Sequence, residues 1–280
     1  MEIFKTKKAL QDYLESARLQ HKKIALVPTM GALHQGHISL IDYAKPLSDI
    51  IVCSIFVNPT QFNDPNDLAK YPRPIANDIQ LLEAANCDIL FQPSVEEMYS
   101  ADEKWSLDLG NLANIWEGEK RPGHFQGVTQ IVYKLFSLVQ PDIACFGQKD
   151  FQQVMVIQHM IQVKQLAIEL AICPIIRAEN GLALSSRNSR LSETALEEAL
   201  ALSRVLSWTK ENFQRLPLSE LNSEALRQLS ASEGVEVEYF AICESRSLEQ
   251  ATSIADDKQY VALLTAWVGG VRLIDNMILN

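Results

Sequence analysis

The sequence predicts an α/β protein with a doubly wound parallel sheet, followed by a smaller α+β domain. Over residues 1–176, short and continuously apolar runs alternate with segments of helical period. Strands that are covered by helices on both faces give such runs, as in parallel sheets. After Arg177 the pattern changes to a glycine-containing loop, two helical segments and strand-like segments. The sequence therefore predicts two domains, at residues 1–176 and 177–280.

Apolar runs predict five strands in the first domain. They are KIALVPT, DIIVCSIFV, CDILFQP, PDIACFG and IELAICPII. The segments between them are long enough for the helical crossovers that parallel strands need. The clearest helix has apolar residues at a spacing of three and four from Val128 to Val139, and it stops before Pro141.

In the second domain, helical segments are predicted at about residues 192–215 and 219–232. Strands are predicted at VEVEYFAIC and at YVALLTAWVGGVRLID. We find no internal repeat and no low-complexity tract.

The composition argues against several classes of function. The formal net charge is −10, which disfavours binding of nucleic acid or an anionic membrane surface by general electrostatics. None of the five cysteines forms a Cys-x-x-Cys pair, so we expect buried thiols in a reducing compartment rather than disulfides or thiolate metal sites. With neither a signal peptide pattern nor an apolar run of about 18 residues, the expected location is the cytoplasm.

Two histidines follow the first predicted strand in VPTMGALHQGHISLI. His34 and His37 lie in a turn that contains Gly31 and Gly36, at the start of a predicted helix. Glycines let backbone approach a phosphate, and imidazoles with a helix N-terminus favour phosphoryl oxygens. The alternative is that both histidines are ordinary turn residues. A zinc site is disfavoured because the pair lacks a Cys or Glu at ligand spacing.

A polar loop, FVNPTQF, follows the second predicted strand. Asn58 and Gln61 offer neutral amides that fix a small polar substrate without burying charge. The alternative is that the Asn-Pro pair only makes a turn.

The segment FGQKDFQQ joins a predicted strand to a helix. Lys149 at this junction suits a phosphate, whereas the alternative is an ordinary surface lysine. Asp150 and Gln153 also match a variant of the helix capping box, so a structural role competes with a binding role for both.

A fourth candidate segment, GLALSSRNSRLS, gathers Ser185, Ser186 and Arg187 after the last strand of the first domain. Hydroxyls and a guanidinium suit a triphosphate in a loop that can close over it. The alternative is a solvated linker. All four candidate segments follow predicted parallel strands, and ligands bind at the carboxyl ends of such strands.

Several blocks together resemble the pantothenate synthetase family along most of the chain. They are PTMGALHQGH, FVNPTQF, YPR, RPGHF, LVQPDIACFGQKDFQQ and LALSSRN, with RLIDN near the C-terminus. The resemblance implies a Rossmann-like domain related to class I aminoacyl-tRNA synthetases and a smaller domain that helps to close the site. It also implies ATP-dependent condensation of (R)-pantoate with β-alanine through a pantoyl-adenylate, with Mg²⁺, in a homodimer.

Site residues follow from the resemblance block by block. His34 and His37 are similar to the pair of the HIGH-type signature, with His37 as proton donor. Lys149 is implied to bind phosphates, and Ser185, Ser186 and Arg187 to replace the KMSKS loop. The implied ATP contacts are Met30, Gly31, His34, Gly36, His37, Gly147, Lys149, Asp150, Ile176, Leu184, Ser185, Ser186 and Arg187.

The same resemblance implies that Gln61 and Gln153 hold pantoate, with Gln61 also near β-alanine. In RPIANDIQ the family often carries two adjacent acidic residues near the metal, whereas this chain has Asn77 before Asp78. Asp78 is thus the expected Mg²⁺ ligand.

Two other functions stay open. One is another nucleotidyltransferase of the same superfamily, against which the neutral amides of NPTQF and FQQ argue. The other is a catalytically silent ATP sensor. A tRNA synthetase is disfavoured by the acidic charge and the lack of a basic extension.

Overall fold

A computed structural model describes residues 1–280 and contains nine strands and eleven α-helices. The strands are β1 (Glu2–Phe4), β2 (Ile24–Thr29), β3 (Ile50–Ile55), β4 (Ile89–Phe91), β5 (Ile143–Gly147), β6 (Glu169–Cys173), β7 (Val235–Glu244), β8 (Tyr260–Val268) and β9 (Val271–Ile278). The helices are α1 (Lys7–Leu19), α2 (Gln35–Ala44), α3 (Pro65–Lys70), α4 (Ile75–Ala84), α5 (Val95–Met98), α6 (Glu117–Lys120), α7 (His124–Val139), α8 (Phe151–Val163), α9 (Glu193–Glu198), α10 (Leu200–Asn212) and α11 (Leu218–Ser230).

Six strands form a parallel sheet in the order β1-β4-β3-β2-β5-β6. The chain passes from β2 outwards through β3 to β4, then returns to the other side of β2 for β5 and β6. This reversal confirms the doubly wound α/β class, and it places the topological switch point between β2 and β5. Every residue of β3 is buried, which explains why its sequence is apolar without alternation. The short strand β1 was missed because its three residues are largely exposed.

The remaining strands form an antiparallel sheet in the order β7-β8-β9, which confirms the smaller α+β part. Its core combines buried residues of this sheet with apolar faces of α10 and α11, including Leu206, Leu221, Leu229 and Leu264. The two glycines Gly269 and Gly270 make the β8-β9 hairpin, and both have positive φ angles of 54° and 73°.

The chain divides into two compact units. The first contains Met1–Gly147 and Gln153–Pro174, and the second contains Gln148–Gln152 and Ile175–Asn280. The short segment Gln148–Gln152 thus groups with the second unit, although it lies within the first predicted domain.

Two helix predictions differ from the structure in their bounds. The helical segment at 192–215 is two helices, α9 and α10, because the hydrogen-bond ladder changes at Ala199, whose carbonyl accepts from Leu202 in a three-residue step. The helix that begins in the sequence pattern at Val128 starts earlier, at His124, directly after Gly123 in the left-handed region.

All five cysteines are buried, as the sequence predicts, and none is in a disulfide. None of the helices combines the length and the apolar character that a membrane crossing requires.

Candidate active site

In the first unit, the turn after β2 has an unusual backbone. Gly31 and Ala32 are both in the left-handed region, with φ angles of 80° and 51°. A Cβ atom on Gly31 would lie 3.0 Å from the Asp78 carboxylate and 3.0 Å from Ile55, so only glycine fits. Ala32 has no such freedom, and its conformation needs support from its surroundings.

Asp78 supplies that support from the first turn of α4. Its Oδ2 accepts the backbone N–H of Ala32 at 2.9 Å, and its Oδ1 accepts that of Leu33 at 2.8 Å. The side chain is 1% exposed. Asp78 therefore holds the turn that leads into His34.

This geometry favours a structural role for Asp78 over the predicted binding of Mg²⁺. Mg²⁺ needs oxygen ligands that are accessible to it, and it usually retains several water ligands as well. Here both carboxylate oxygens are buried and bonded to backbone donors. No group of three or more His, Cys, Asp and Glu side chains is arranged to hold a metal either. The residues present do not fit a resident Mg²⁺ site.

His34 and His37 form a reciprocal cap at the start of α2. His34 is the N-cap residue, and its Nδ1 accepts the N–H of Gly36 at 3.1 Å. His37 Nδ1 in turn accepts the backbone N–H of His34 at 3.3 Å, and the two ring centroids are 4.1 Å apart. Gly36 thus gives its N–H to His34, and its contact with ATP stays a prediction.

The caps favour one neutral tautomer for each ring. A ring nitrogen that accepts a hydrogen bond carries no proton, so each neutral imidazole has its proton on Nε2. Both histidines can then act as Nε2–H donors without being positively charged. Two such donors at the carboxyl end of β2 suit oxygens on which negative charge develops.

Asn58 is buried beneath the next turn, after β3. Its amide nitrogen donates to Gln61 Oε1 and to the Gly127 carbonyl, both at 3.1 Å. Its oxygen accepts from the Tyr99 hydroxyl at 2.7 Å and from the Thr60 hydroxyl at 3.2 Å. All its hydrogen-bonding capacity is used, so we assign it the support of Gln61 in place of the predicted contact with substrate. Burial raises the pKa of Tyr99, which keeps its hydroxyl protonated as a donor to Asn58.

Gln61 is held on three sides within the first unit. Besides the contact with Asn58, its Nε2 lies 2.9 Å from Met30 Sδ, and its backbone carbonyl oxygen lies 2.8 Å from Nδ1 of the buried His124. Helix α7 can approach this turn closely because residue 127 is a glycine. A Cβ at this position would lie only 2.3 Å from the Thr60 carbonyl oxygen. These contacts hold both the backbone and the side chain of Gln61. Gln153 is half-buried in the first turn of α8.

In the second unit, Gln148–Asp150 form a single 3₁₀ turn directly after β5, which ends at Gly147. Lys149 is half-buried and Asp150 is exposed. Helix α8 begins at Phe151, directly after Asp150.

The other candidates of this unit lie on a narrow hairpin and its continuation. Leu184 donates its N–H to the Ile176 carbonyl at 3.0 Å, which brings these two predicted ATP contacts together. The predicted loop beyond them is a 3₁₀ helix at Ser186–Arg190. Ser185 caps it, because its hydroxyl oxygen accepts the N–H of Arg187 at 3.2 Å. The hydroxyl group of Ser185 keeps its capacity to donate a hydrogen bond.

Sequence reasoning missed several supporting residues. Tyr99 and His124 fix the turn of Gln61, and the half-buried Arg177 forms a network with the buried Asp275 and Asn276 in the second unit. The RPGHF block contains His124, and the RLIDN block contains Asp275 and Asn276. These blocks marked the residues in the sequence but did not show which residues they contact.

The chain is similar to proteins of one family along nearly its whole length. The family model described as Pantoate-beta-alanine ligase matches residues 2–278. A pantothenate synthetase of Porphyromonas gingivalis is 46% identical over 277 residues, which cover 99% of this chain and 99% of that protein. One of Bacteroides thetaiotaomicron is 45% identical over 277 residues, with 99% and 98% covered.

Solved structures give the same result. The pantothenate synthetase of Thermus thermophilus matches with a TM-score of 0.92 and 36% identity, covering 100% of this chain and 99% of that one. A pantoate-beta-alanine ligase of Francisella tularensis, complexed with beta-gamma ATP and beta-alanine, matches with a TM-score of 0.81 and 36% identity, covering 99% and 97%.

Proposed function

Because the chain belongs to the pantoate-beta-alanine ligase family, we propose that it condenses (R)-pantoate with β-alanine to give pantothenate, AMP and pyrophosphate. One observation carries the chemistry beyond the family match. It is the acceptance of backbone N–H groups at Nδ1 by both His34 and His37, at the carboxyl end of β2 next to the switch point of the sheet, which leaves Nε2 as the donor of a neutral ring. Donors fixed in this way stabilise charge on phosphoryl oxygens without reorganising during the reaction.

The first half-reaction makes an acyl-adenylate. A carboxylate oxygen of pantoate attacks the α-phosphorus of ATP in line, and the bond to the bridging oxygen breaks, so pyrophosphate leaves with its electron pair. No bond to the enzyme forms, and the residues act by positioning and by charge stabilisation. We assign the developing charge to His34, His37, Lys149 and Arg187.

The second half-reaction makes the amide. The neutral amine of β-alanine attacks the carbonyl carbon of the mixed anhydride, AMP leaves, and the amine loses a proton. Water competes for the same carbonyl carbon, so exclusion of water protects the intermediate.

Gln61 and Gln153 are assigned to pantoate. Neutral amides bind the hydroxyl groups and the carboxylate of a small acid without burying an uncompensated charge. The support of Gln61 by Asn58, His124 and Met30 keeps its amide in place before the substrate arrives.

We propose that Mg²⁺ arrives with the nucleotide, as Mg-ATP, and is held by the phosphates. Mg²⁺ in nucleotide sites is commonly bound through phosphate oxygens and retained waters. Both carboxylate oxygens of Asp78 already accept backbone N–H groups, and this supports binding of Mg²⁺ through the nucleotide.

Asp78→Asn separates the two roles of this carboxylate. The amide keeps one acceptor, and its NH₂ group faces a backbone N–H, so we expect a loss of about 1–3 kcal/mol in the free energy of unfolding. We also expect a lower kcat, because the turn before His34 shifts, with an unchanged half-saturating Mg²⁺ concentration. Urea unfolding and a Mg²⁺ titration at fixed ATP measure both.

Asp102→Asn changes the same functional group at an exposed position and serves as the control. A rise of tenfold or more in the Mg²⁺ concentration that Asp78→Asn requires would restore Asp78 as a metal ligand.

The family resemblance also supports a homodimer in the cytoplasm, and we include both in the proposal. Analytical ultracentrifugation of the purified chain at micromolar concentration tests the dimer.

The proposed function is tested by product formation. AMP and pantothenate should appear in equal amounts only when ATP, (R)-pantoate and β-alanine are all present. A different nucleotidyltransferase would release pyrophosphate without pantoate. A silent sensor would bind ATP and release no product.

A further inference from the structure

The last strand of the second unit carries two buried polar residues that no role above uses. Asp275 and Asn276 are adjacent on β9, with exposed fractions of 5% and 2%. Buried polar side chains are costly unless they are fully hydrogen-bonded. Their partners therefore show what these residues hold in place.

Asn276 binds the turn that contains Lys149. Its Nδ2 donates to the backbone carbonyls of Gln148, at 3.0 Å, and Lys149, at 2.9 Å. Its Oδ1 accepts from Gln148 Nε2 at 3.1 Å. One amide thus fixes two consecutive peptide units and the side chain of Gln148. The Asn276 N–H is satisfied by Asp275 Oδ1 at 2.7 Å.

Asp275 binds the hairpin that leads to Ser185. Its carboxylate forms a two-pronged ion pair with Arg177, with Nη1–Oδ2 at 2.7 Å and Nη2–Oδ1 at 2.8 Å. The same guanidinium donates to the Gly181 carbonyl at 3.1 Å and to that of Asn276 at 3.3 Å. Paired donors in a planar fork fix orientation as well as distance.

Both phosphate-binding segments assigned to this unit are thus tied to one pair of residues on a regular strand. The Gln148–Asp150 turn is tied through Asn276, and the base of the Ser185–Arg187 segment through Asp275 and Arg177. A long, flexible lysine side chain keeps a defined reach only when its backbone is fixed.

We propose that Asn276 is a positioning residue for Lys149: by holding the carbonyls of residues 148 and 149, it sets where the Lys149 ammonium meets the phosphates of ATP. This inference rests on the proposed function, in which Lys149 binds those phosphates. Asn276 itself does not touch the substrate. Its contribution reaches the reaction only through the backbone of the lysine.

The chemistry of the amide makes the inference specific. Asparagine supplies two N–H donors for two carbonyls, together with one acceptor for the Gln148 amide. Aspartate has almost the same shape but offers no donor when ionised, so it would repel both carbonyls. Asn276→Asp therefore removes the hydrogen bonds to the carbonyls of Gln148 and Lys149 with almost no change in side-chain volume.

The test is a double-mutant cycle with Asn276→Asp and Lys149→Ala, using pantoate-dependent exchange of pyrophosphate into ATP. In the wild-type background we expect Asn276→Asp to lower kcat/KM for ATP about 10²-fold, the cost of misplacing a reacting group by about 1 Å. In the Lys149→Ala background we expect a further loss below about threefold, since the group being positioned is gone.

Asn212→Asp is the matched control, because Asn212 also donates to a backbone carbonyl, that of Trp208 on α10. We expect it to leave the exchange rate within about twofold of wild type. If Asn276→Asp does not fold, Asn276→Ser removes the same contacts without adding a charge, and the cycle is completed with it.

Three results would overturn the inference: a wild-type rate for folded Asn276→Asp, equal losses in both backgrounds, or the failure of both position 276 variants to fold. The last would show that Asn276 serves the fold alone. A failure of the proposed function is distinct, because the wild-type protein itself would then show no exchange that depends on pantoate.

Discussion

Lys149→Ala is expected to lower the rate of adenylate formation by two to four orders of magnitude, as measured in a single turnover with ATP and (R)-pantoate. The ammonium is the one lysine charge that the assigned site offers to the phosphates. Fixed donors and charges aimed at transition-state oxygens commonly account for losses of this size. The backbone around it stays held by Asn276, so the free energy of unfolding should change little.

Lys210→Ala is the control for this variant, because Lys210 is an exposed lysine on α10 of the same unit. It should turn over at the wild-type rate. A single-turnover rate near wild type for Lys149→Ala itself would exclude the proposed role of this lysine.

His37→Asn is expected to lower kcat by about 10²–10³-fold, the range found when one transition-state donor is removed. Asparagine can place its Oδ1 near the position of Nδ1 and so keep an acceptor for the His34 N–H. It cannot reach the position of Nε2. The substitution therefore removes the donor to phosphate and retains the cap of α2.

His21→Asn provides the comparison, since His21 is exposed and has a φ angle of 57°, which asparagine tolerates well. His37→Gln reaches further than His37→Asn and can bring an N–H donor closer to the position of Nε2. If His37→Asn lost both activity and thermal stability, and His37→Gln recovered neither, His37 would act through the cap of the helix and not through Nε2.

The strands of the first unit could be predicted from the sequence because strands that are buried on both faces have continuous apolar runs. DIIVCSIFV has no alternation, and every residue of β3 is indeed buried. The first candidates then followed from their residue types and positions, since polar residues after parallel strands lie at the carboxyl edge, and the other candidates followed from the family resemblance. Strand β1 escaped because an exposed three-residue edge strand has no periodicity to read.

The roles of Asp78 and Asn58 could not be predicted because they depend on partners far along the chain. Asp78 bonds to backbone 45 and 46 residues away, and Asn58 to a carbonyl 69 residues away. A sequence shows that an acid or an amide is present. It does not show whether the hydrogen-bonding groups of that side chain are already engaged. Both were therefore given binding roles, where the structure gives them supporting ones.

The tautomers of His34 and His37 required the structure for the same reason. The spacing predicts a pair at the start of a helix, but only the direction of the rings shows that each Nδ1 accepts a backbone N–H. Likewise, RLIDN could be seen as a block, whereas the hydrogen bonds of Asn276 to residues 148 and 149 span 128 and 127 positions.

The central claim is that this site activates the carboxylate of pantoate as an adenylate. The most direct measurement is the exchange of labelled pyrophosphate into ATP with Mg²⁺ and (R)-pantoate, without β-alanine, beside a control without pantoate. We predict exchange that requires pantoate, followed by release of AMP when β-alanine is added. Bound ATP with no exchange under these conditions would contradict a free-standing adenylate step, and exchange without pantoate would contradict the assignment of the acid substrate.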